Sequence, residues 1–159
     1  MAGFEYRQAQ EIGAVFARHG VRYLFLGKSG AILLGFPDTT QDADLFLDKS
    51  PENGGRVAAA LQDLGFAPSD AQVEEIRRGK DFIQIKQGPF DLDLVFAPDG
   101  IERFAEAWER RVEVAGLPVC SIQDIIRSKE AANRVKDRES LPRLRAFAAW
   151  LRERGRPVE

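Results

Sequence analysis

The chain has 159 residues, of which 44% are hydrophobic and 9% aromatic, and its formal net charge is −2. This length and composition exclude a disordered protein and predict one globular domain with a single sizeable core, spanning residues 1–159. No apolar run approaches the roughly 20 residues that cross a bilayer, and the first residues are polar, which predicts a cytoplasmic protein with no membrane partner.

Cysteine, histidine and charge content narrow the chemistry further. With one cysteine, Cys120, and one histidine, His19, the chain forms no internal disulfide and no ordinary structural zinc site. Residues 127–156 hold ten Lys/Arg against four Asp/Glu, so this end of the chain is basic. Such asymmetry favours a phosphate-bearing or nucleic-acid partner, and a solvated helix face is the plain alternative.

Hydrophobic periodicity predicts helices and strands in alternation. In chain order we expect a helix over residues 4–18, a strand over 21–26, a short helix over 28–34, a strand over 43–47 and a helix over 51–64. A short helix around 72–78 follows. Residues 81–86 and 90–96 predict two strands, and the turn between them indicates an antiparallel hairpin. The chain ends with a helix over 101–110, an extended stretch over 112–119, a helix from the cap Ser121 to Ala132, and a helix over 138–154.

These elements predict an α/β (α+β) fold in which helices flank a mixed sheet of about four to six strands, with a helical C-terminal end. Trp108 and Trp150 fall on apolar helix faces, so we expect both in the core.

The strand around residues 42–47 carries two alternating aspartates. Asp42 and Asp44 share one face of the strand because successive side chains point to opposite sides. Two carboxylates so close repel each other unless a cation lies between them, and Mg²⁺ is usually held by one or two carboxylates together with substrate phosphates. On this pair alone, a solvent-facing polar strand remains an equal alternative.

A second strand repeats the pattern and strengthens the metal hypothesis. Asp91 and Asp93 alternate with apolar residues in the stretch Phe90-Asp-Leu-Asp-Leu-Val-Phe. Strands this apolar are normally interior, where aspartate is disfavoured. Two metal ions about 3.5–4 Å apart are the common device for in-line phosphoryl displacement. The third carboxylate of such a site is Asp93 or Asp91.

Several segments together resemble a known family. Gly27-Lys-Ser-Gly-Ala-Ile-Leu-Leu-Gly, then Thr40-Gln-Asp-Ala-Asp-Leu, is similar to the signature of minimal nucleotidyltransferases of the DNA polymerase-β superfamily. Asp93-Leu-Val-Phe-Ala-Pro-Asp-Gly resembles the third-carboxylate strand of that group, and Lys129-x-x-Ala132-x-Arg134-x-Lys136-Asp137 resembles its C-terminal helical motif. The resemblance covers about residues 20–150.

The resemblance implies a polymerase-β-type fold and a metal-dependent reaction. It implies transfer of a nucleoside monophosphate from an NTP to a hydroxyl acceptor with release of pyrophosphate, using two Mg²⁺ (or Mn²⁺) ions. It assigns metal binding and catalysis to Asp42, Asp44 and Asp93, the last preferred to Asp91. The expected nucleotide-binding residues are Gly27, Lys28, Ser29, Thr40, Lys129 and Lys136. For the two lysines near the C-terminus, an exposed helix face is the alternative.

Two positions differ from the family pattern. Lys28 stands where relatives carry a small residue, and Asp38 stands where many carry an arginine. Asp38 and the short chain motivate an alternative function: a catalytically weak or inactive binding protein of this fold, acting in a toxin–antitoxin or regulatory pair. Within the enzyme hypothesis the acceptor stays open between tRNA, another protein and an aminoglycoside-like small molecule.

Overall fold

The computed structural model describes residues 4–159. Its helices are α1 (Tyr6–His19), α2 (Gly27–Leu33), α3 (Pro51–Asp63), α4 (Asp70–Arg78), α5 (Phe104–Glu109), α6 (Ile122–Ala132) and α7 (Val135–Glu153). Its strands are β1 (Tyr23–Leu26), β2 (Asp42–Leu47), β3 (Phe82–Ile85), β4 (Asp91–Val95), β5 (Val112–Val114) and β6 (Leu117–Val119). Within these residues, no helix combines the length and the apolar character needed to span a membrane.

The strands form one mixed six-stranded sheet in the order β3-β4-β2-β1-β6-β5. The pairs β2–β4 and β1–β6 are parallel, whereas β1–β2, β3–β4 and β5–β6 are antiparallel. The predicted α/β fold with a mixed sheet and a helical C-terminal end is therefore confirmed, as is the β3–β4 hairpin. The stretch predicted as extended over residues 112–119 is itself a hairpin, because Ala115 and Gly116 turn the chain with positive φ.

Strand alternation divides the core into two layers, one on each face of the sheet. On one face, residues such as Leu45, Leu92 and Ile83 pack with Ile12 of α1 and Leu61 of α3. On the other face, Leu24, Leu26 and Phe46 pack with side chains of α5, α6 and α7.

The second layer leaves part of its sheet face uncovered. On β2, Ala43, Leu45 and Leu47 point into the first layer, so Asp42 and Asp44 point to the opposite face. On β3, Ile83 and Ile85 are buried while Phe82 and Gln84 are exposed on that same opposite side. Here the polar half of the sheet meets the ends of α6 and α7.

Candidate functional site

A cleft of about 670 Å³ lies on this uncovered part of the sheet, between β2, β4 and β3 on one side and α6 and α7 on the other. Its walls carry opposite charges. The acidic wall consists of Asp42, Asp44 and Asp93, with Asp81 and Asp99 at the rim. The basic wall consists of Lys129, Arg134 and Lys136 from α6, α7 and the junction between them, and Lys28 of α2 also lines the cleft.

The parallel pairing of β2 and β4 brings the carboxylates together. Asp44 is aligned with Asp93, and Asp42 is aligned with Asp91. Asp42, Asp44 and Asp93 all line the cleft, whereas Asp91 is not among its lining residues. The two aspartate-bearing strands are thus adjacent and interior, as the sequence pattern predicts.

Burial makes it unfavourable for Asp44 and Asp93 to be ionised side by side. Burial, and then the neighbouring charge of Asp93, raise the pKa of Asp44 well above its usual range. Burial is also the main cause that raises the pKa of Asp93. One oxygen of Asp93, Oδ1, is buried and has no hydrogen-bond partner among the described residues. An unpartnered buried carboxylate oxygen is costly, so a cation bound here would relieve both the repulsion and the missing contact.

The donor set fits a hard divalent cation. All donors on the acidic wall are carboxylate oxygens, the ligands that Mg²⁺ and Mn²⁺ prefer. Within residues 4–159, no three Asp, Glu, His or Cys side chains are already gathered as a metal-binding group. Asp42 thus lines the cleft, but its carboxylate does not converge with those of Asp44 and Asp93 on one point. Mg²⁺ commonly uses only one or two protein carboxylates and takes its other ligands from phosphates and water, which suits this arrangement.

Two residues in the first turn of α2 hold Asp44 in position. Gly27 has a positive φ of 61°, and a Cβ at this position would collide with the carboxylate of Asp44. The Ser29 hydroxyl is fully buried, donates to Leu26 O (2.9 Å) and accepts from Asp44 N (3.0 Å). Gly27 lines the cleft, but the Ser29 hydroxyl already has two backbone partners and does not line it. The Ser29 side chain therefore braces the Asp44 strand rather than facing a bound phosphate.

A buried aspartate fixes the basic wall. Asp137 has no exposed surface, and it accepts hydrogen bonds from Arg134 Nε (2.8 Å) and Arg134 N (3.1 Å). Its Oδ1 lies 3.5 Å from Lys129 Nζ. Burial lowers the pKa of Lys129, although Asp137 and Asp44 partly oppose this. Lys129 is therefore a largely buried cation, held between Asp137 and the acidic wall.

The two positions that differ from the family pattern contact each other. Lys28 Nζ lies 3.3 Å from Asp38 Oδ2, and Arg143 Nη1 of α7 lies 3.4 Å from the same oxygen. The hydrogen bond from the Thr39 amide, followed by the Lys28 interactions, lowers the pKa of Asp38. Lys28 lines the cleft and Asp38 does not. The negative charge of Asp38 is thus paired outside the cleft.

Thr40 and Lys136, also predicted from the sequence, line the cleft as well. Among the cleft residues to which the sequence analysis gave no role are Arg134, Phe82 and Gln84. Alternation on β3, with Ile83 and Ile85 buried, was the signal that could have identified the last two.

The core prediction for Trp150 is wrong. This side chain is 43% exposed, stacks on Phe147 and lies beneath the Arg154 guanidinium. Trp108 is half-buried, packed against Phe104 with the Arg111 guanidinium over its ring. A guanidinium covers each ring from the solvent side, which lets an amphipathic helix carry a tryptophan at the edge of its apolar face.

Comparison with known proteins supports the fold. No protein-family model and no curated protein matches the chain. The solution structure of the antibiotic-resistance factor ANT(2'')-Ia, an aminoglycoside nucleotidyltransferase, is similar at a TM-score of 0.56 and 20% sequence identity. The alignment covers 93% of this chain and 91% of the other. At this identity the similarity establishes a common fold, a nucleotidyltransferase-type α/β architecture.

Proposed function

We propose that this protein is a metal-dependent nucleotidyltransferase, which transfers a nucleoside monophosphate from an NTP to a hydroxyl group and releases pyrophosphate. The observation that carries the proposal is the charge separation across the cleft. Asp42, Asp44 and Asp93 line the sheet side of the cleft, and Lys129, Arg134 and Lys136 line the helix side, with Lys28 of α2 as a fourth cation. A metal–triphosphate complex has the complementary form, because its metal ions need carboxylate oxygens and its phosphate oxygens need cations or amide donors. The nucleotidyltransferase-type fold supports the same class of reaction.

In this proposal the acidic wall holds the metal. Asp42 and Asp44 bind two Mg²⁺ or Mn²⁺ ions, and Asp93 completes the site with its unpartnered Oδ1. Bound metal ions would neutralise charge on the phosphates and stabilise both the attacking and the leaving oxygen. The Ser29 hydroxyl, bonded to Asp44 N, keeps the Asp44 carboxylate in line with Asp93.

The basic wall binds the triphosphate. Lys129 and Lys136 neutralise phosphate oxygens, and Arg134 offers a planar pair of N–H donors that suits phosphate geometry. Lys28, next to Gly27 at the start of α2, adds a fourth positive charge to the lining of the cleft. Asp137 positions Lys129 and Arg134 without facing the cleft itself.

The chemical step is an in-line displacement at the α-phosphorus. The acceptor hydroxyl oxygen forms a bond to this phosphorus, the bond between the phosphorus and its bridging oxygen breaks, and pyrophosphate leaves with the electron pair. Asp93, the carboxylate aligned with Asp44, accepts the hydroxyl proton. Positioning and charge neutralisation supply most of the rate enhancement.

An assay of label transfer tests this assignment. The protein is incubated with α-³²P-labelled NTPs and Mg²⁺ or Mn²⁺, together with RNA, protein and aminoglycoside acceptors in separate reactions. We expect Asp42→Asn, Asp44→Asn and Asp93→Asn each to reduce transfer by about 100-fold or more, because each removes a charge that holds metal or takes the proton. The matched control is Asp70→Asn, an exposed aspartate of α4, which should transfer at the wild-type rate.

The same assay separates the alternatives. Undiminished transfer by Asp42→Asn or Asp44→Asn would refute the assignment. Loss of transfer in Asp91→Asn but not in Asp93→Asn would move the third role to Asp91. NTP and Mg²⁺ binding without transfer to any acceptor would favour the binding protein of a regulatory pair.

A further inference from the structure

An exposed aromatic side chain lies on the edge strand beside the carboxylates. Phe82 begins β3, the last strand of the sheet, and is 49% exposed. Its backbone neighbour in β4 is Val95, two residues after Asp93, while Gln84 is aligned with Asp93 itself. Among residues 4–159, no other aromatic ring stacks on Phe82. A large, unstacked aromatic face is thus presented to solvent at the rim of the cleft.

Phe82 and its neighbour Asp81 line two cavities at once. The first is the cleft that holds Asp93, and the second is an open groove of about 610 Å³ on the other side of the ring. Lys49, Arg78 and Lys80 line this groove and are called the basic shelf below. A ligand can therefore reach from the basic shelf, across Phe82, to the carboxylates.

The basic shelf is suited to bind a chain of phosphates. Its three cations outnumber the two anions of the groove, Glu75 and Asp81. Within the described residues neither Lys49 nor Arg78 forms an ion pair, and the Lys80–Glu75 pair (2.8 Å) is exposed and so contributes little. The Lys49 stem lies against Gly79, where a Cβ would come within 2.7 Å of Lys49 Cγ. This contact holds the ammonium group of Lys49 beside the groove.

We propose that the acceptor is the end of a single-stranded nucleic acid, with the groove and Phe82 as its binding track. A terminal base stacks on Phe82, the preceding phosphates lie along the basic shelf, and the terminal sugar hydroxyl reaches Asp93. Base stacking on an aromatic side chain combined with a cationic groove is the general way in which proteins bind single strands. The basic shelf offers a polycationic aminoglycoside no favourable contact, and an acidic peptide has no base to stack on Phe82. This inference rests on the proposed function and names its substrate class.

The first test is binding of a 5′-fluorescein-labelled single-stranded RNA dodecamer, measured by fluorescence anisotropy with the full chain. We expect Phe82→Ala to weaken binding about 5- to 150-fold, the range measured for loss of one base–aromatic stack, and Phe82→Tyr to retain it. Trp150→Ala is the matched control, since it removes an exposed aromatic ring from a different surface. An RNA whose last nucleotide is abasic cannot stack on Phe82. Its affinity for the wild-type protein should therefore equal the affinity of the intact RNA for Phe82→Ala. The Phe82→Ala variant should bind the abasic and the intact RNA equally.

Salt dependence tests the basic shelf. Each phosphate contact to single-stranded nucleic acid contributes about −0.7 to the slope of log K against log salt concentration. The double variant Lys49→Ala/Arg78→Ala should therefore flatten the slope by about 1.4. The control Arg138→Ala/Arg145→Ala, two exposed arginines of α7 outside both cavities, should leave it unchanged.

Three outcomes would overturn the inference: equal RNA affinity in Phe82→Ala and wild type, equal affinity for duplex and single strand, or equal affinity for polyglutamate and RNA. Calorimetric titration of NTP and Mg²⁺ into the protein distinguishes failure of the nucleic-acid inference from failure of the proposed function. If NTP binds and RNA fails these tests, only the acceptor assignment falls. If RNA passes them and NTP does not bind, the nucleic-acid track stands and the transferase falls.

Discussion

At the scale of single residues, the position of Asp44 depends on neighbours that carry no charge. Gly27 leaves the space that the Asp44 carboxylate occupies, and Ser29 bonds to the Asp44 amide. Motif comparison at the level of sequence assigns these two positions to the nucleotide. Their contacts indicate that both residues hold Asp44 in place.

Gly27→Ala should therefore impair binding more than it impairs folding. The added methyl group would sit in left-handed backbone, at a cost of about 1–2 kcal/mol, and would also displace the Asp44 carboxylate. Gly155→Ala is the matched control, because its φ of 66° imposes the same strain in open space. We expect similar losses of unfolding free energy in urea for both variants, and at least a tenfold loss of Mg²⁺–NTP affinity for Gly27→Ala alone. Equal NTP affinity in the two variants would contradict the assigned role.

Ser29→Ala should destabilise the fold by about 1–3 kcal/mol, because it removes a fully buried hydroxyl and leaves the partly buried Asp44 amide without its partner. Urea denaturation measures the change. The control is Ser128→Ala, also next to the cleft, whose hydroxyl forms none of the side-chain hydrogen bonds found among residues 4–159. Its effect should stay within about 0.5 kcal/mol. Equal unfolding free energies for the two variants would show that the Ser29 hydrogen bonds do not stabilise the fold.

At the scale of elements, the junction of α6 and α7 forms the basic wall. Asn133 takes a left-handed conformation and ends α6, and Arg134 then caps α7 together with Asp137. The capping contacts that start α7 thus also hold Arg134 and Lys129 beside the cleft.

Asp137 makes this junction sensitive to acid. Burial by itself would raise the pKa of Asp137, but the hydrogen bonds from Arg134 and the charge of Lys129 hold it below its usual value. The ionised group therefore stabilises the fold above its unfolded-state pKa of about 4, and this stabilisation is lost as the pH falls through the lower folded-state pKa.

Asp137→Asn should accordingly cost about 1–3 kcal/mol at pH 7, and the difference from wild type should shrink below about pH 4. Urea denaturation from pH 7 to pH 3 measures both. The control Glu130→Gln, which breaks the exposed Arg145–Glu130 pair, should change stability by at most about 0.5 kcal/mol at every pH. A difference that grows on acidification would contradict the ion-pair explanation.

The sequence predicted helices and strands correctly where the apolar side chains alternate as in a strand or recur as in a helix. The strand holding Asp42 and Asp44 and the helix that begins at Pro51 lie where expected. Apart from the hairpin over residues 112–119 and the exposed Trp150, the errors concern helix ends: α4 begins at Asp70 rather than 72, since Ser69 and Gln72 form a capping box. Similarly α7 begins at Val135 rather than 138, because Arg134 and Asp137 cap it. Both depend on hydrogen bonds between side chain and backbone that periodicity does not reveal.

At the scale of the whole molecule, the sheet order decides which charges meet. Parallel pairing of β2 with β4 aligns Asp44 with Asp93 although 48 residues separate them along the chain. Local pattern predicts that both strands are interior, but it does not give their register. The Lys28–Asp38 pair illustrates the same limit: both residues differ from the family pattern, Asp38 alone looked unfavourable for nucleotide binding, and only the fold brings the two to 3.3 Å.

The central claim is that the acidic and basic walls together hold a metal–triphosphate complex, and it is tested without knowledge of the acceptor. We would titrate α,β-methylene-ATP and its counterparts with the other bases into the protein by calorimetry, with Mg²⁺ or with EDTA. The predicted result is Mg²⁺-dependent binding of at least one analogue, weakened at least tenfold in Asp44→Asn and in Lys129→Ala and unchanged in Asp70→Asn. Binding that persists in EDTA, or that is equal in wild type and Asp44→Asn, would contradict the claim.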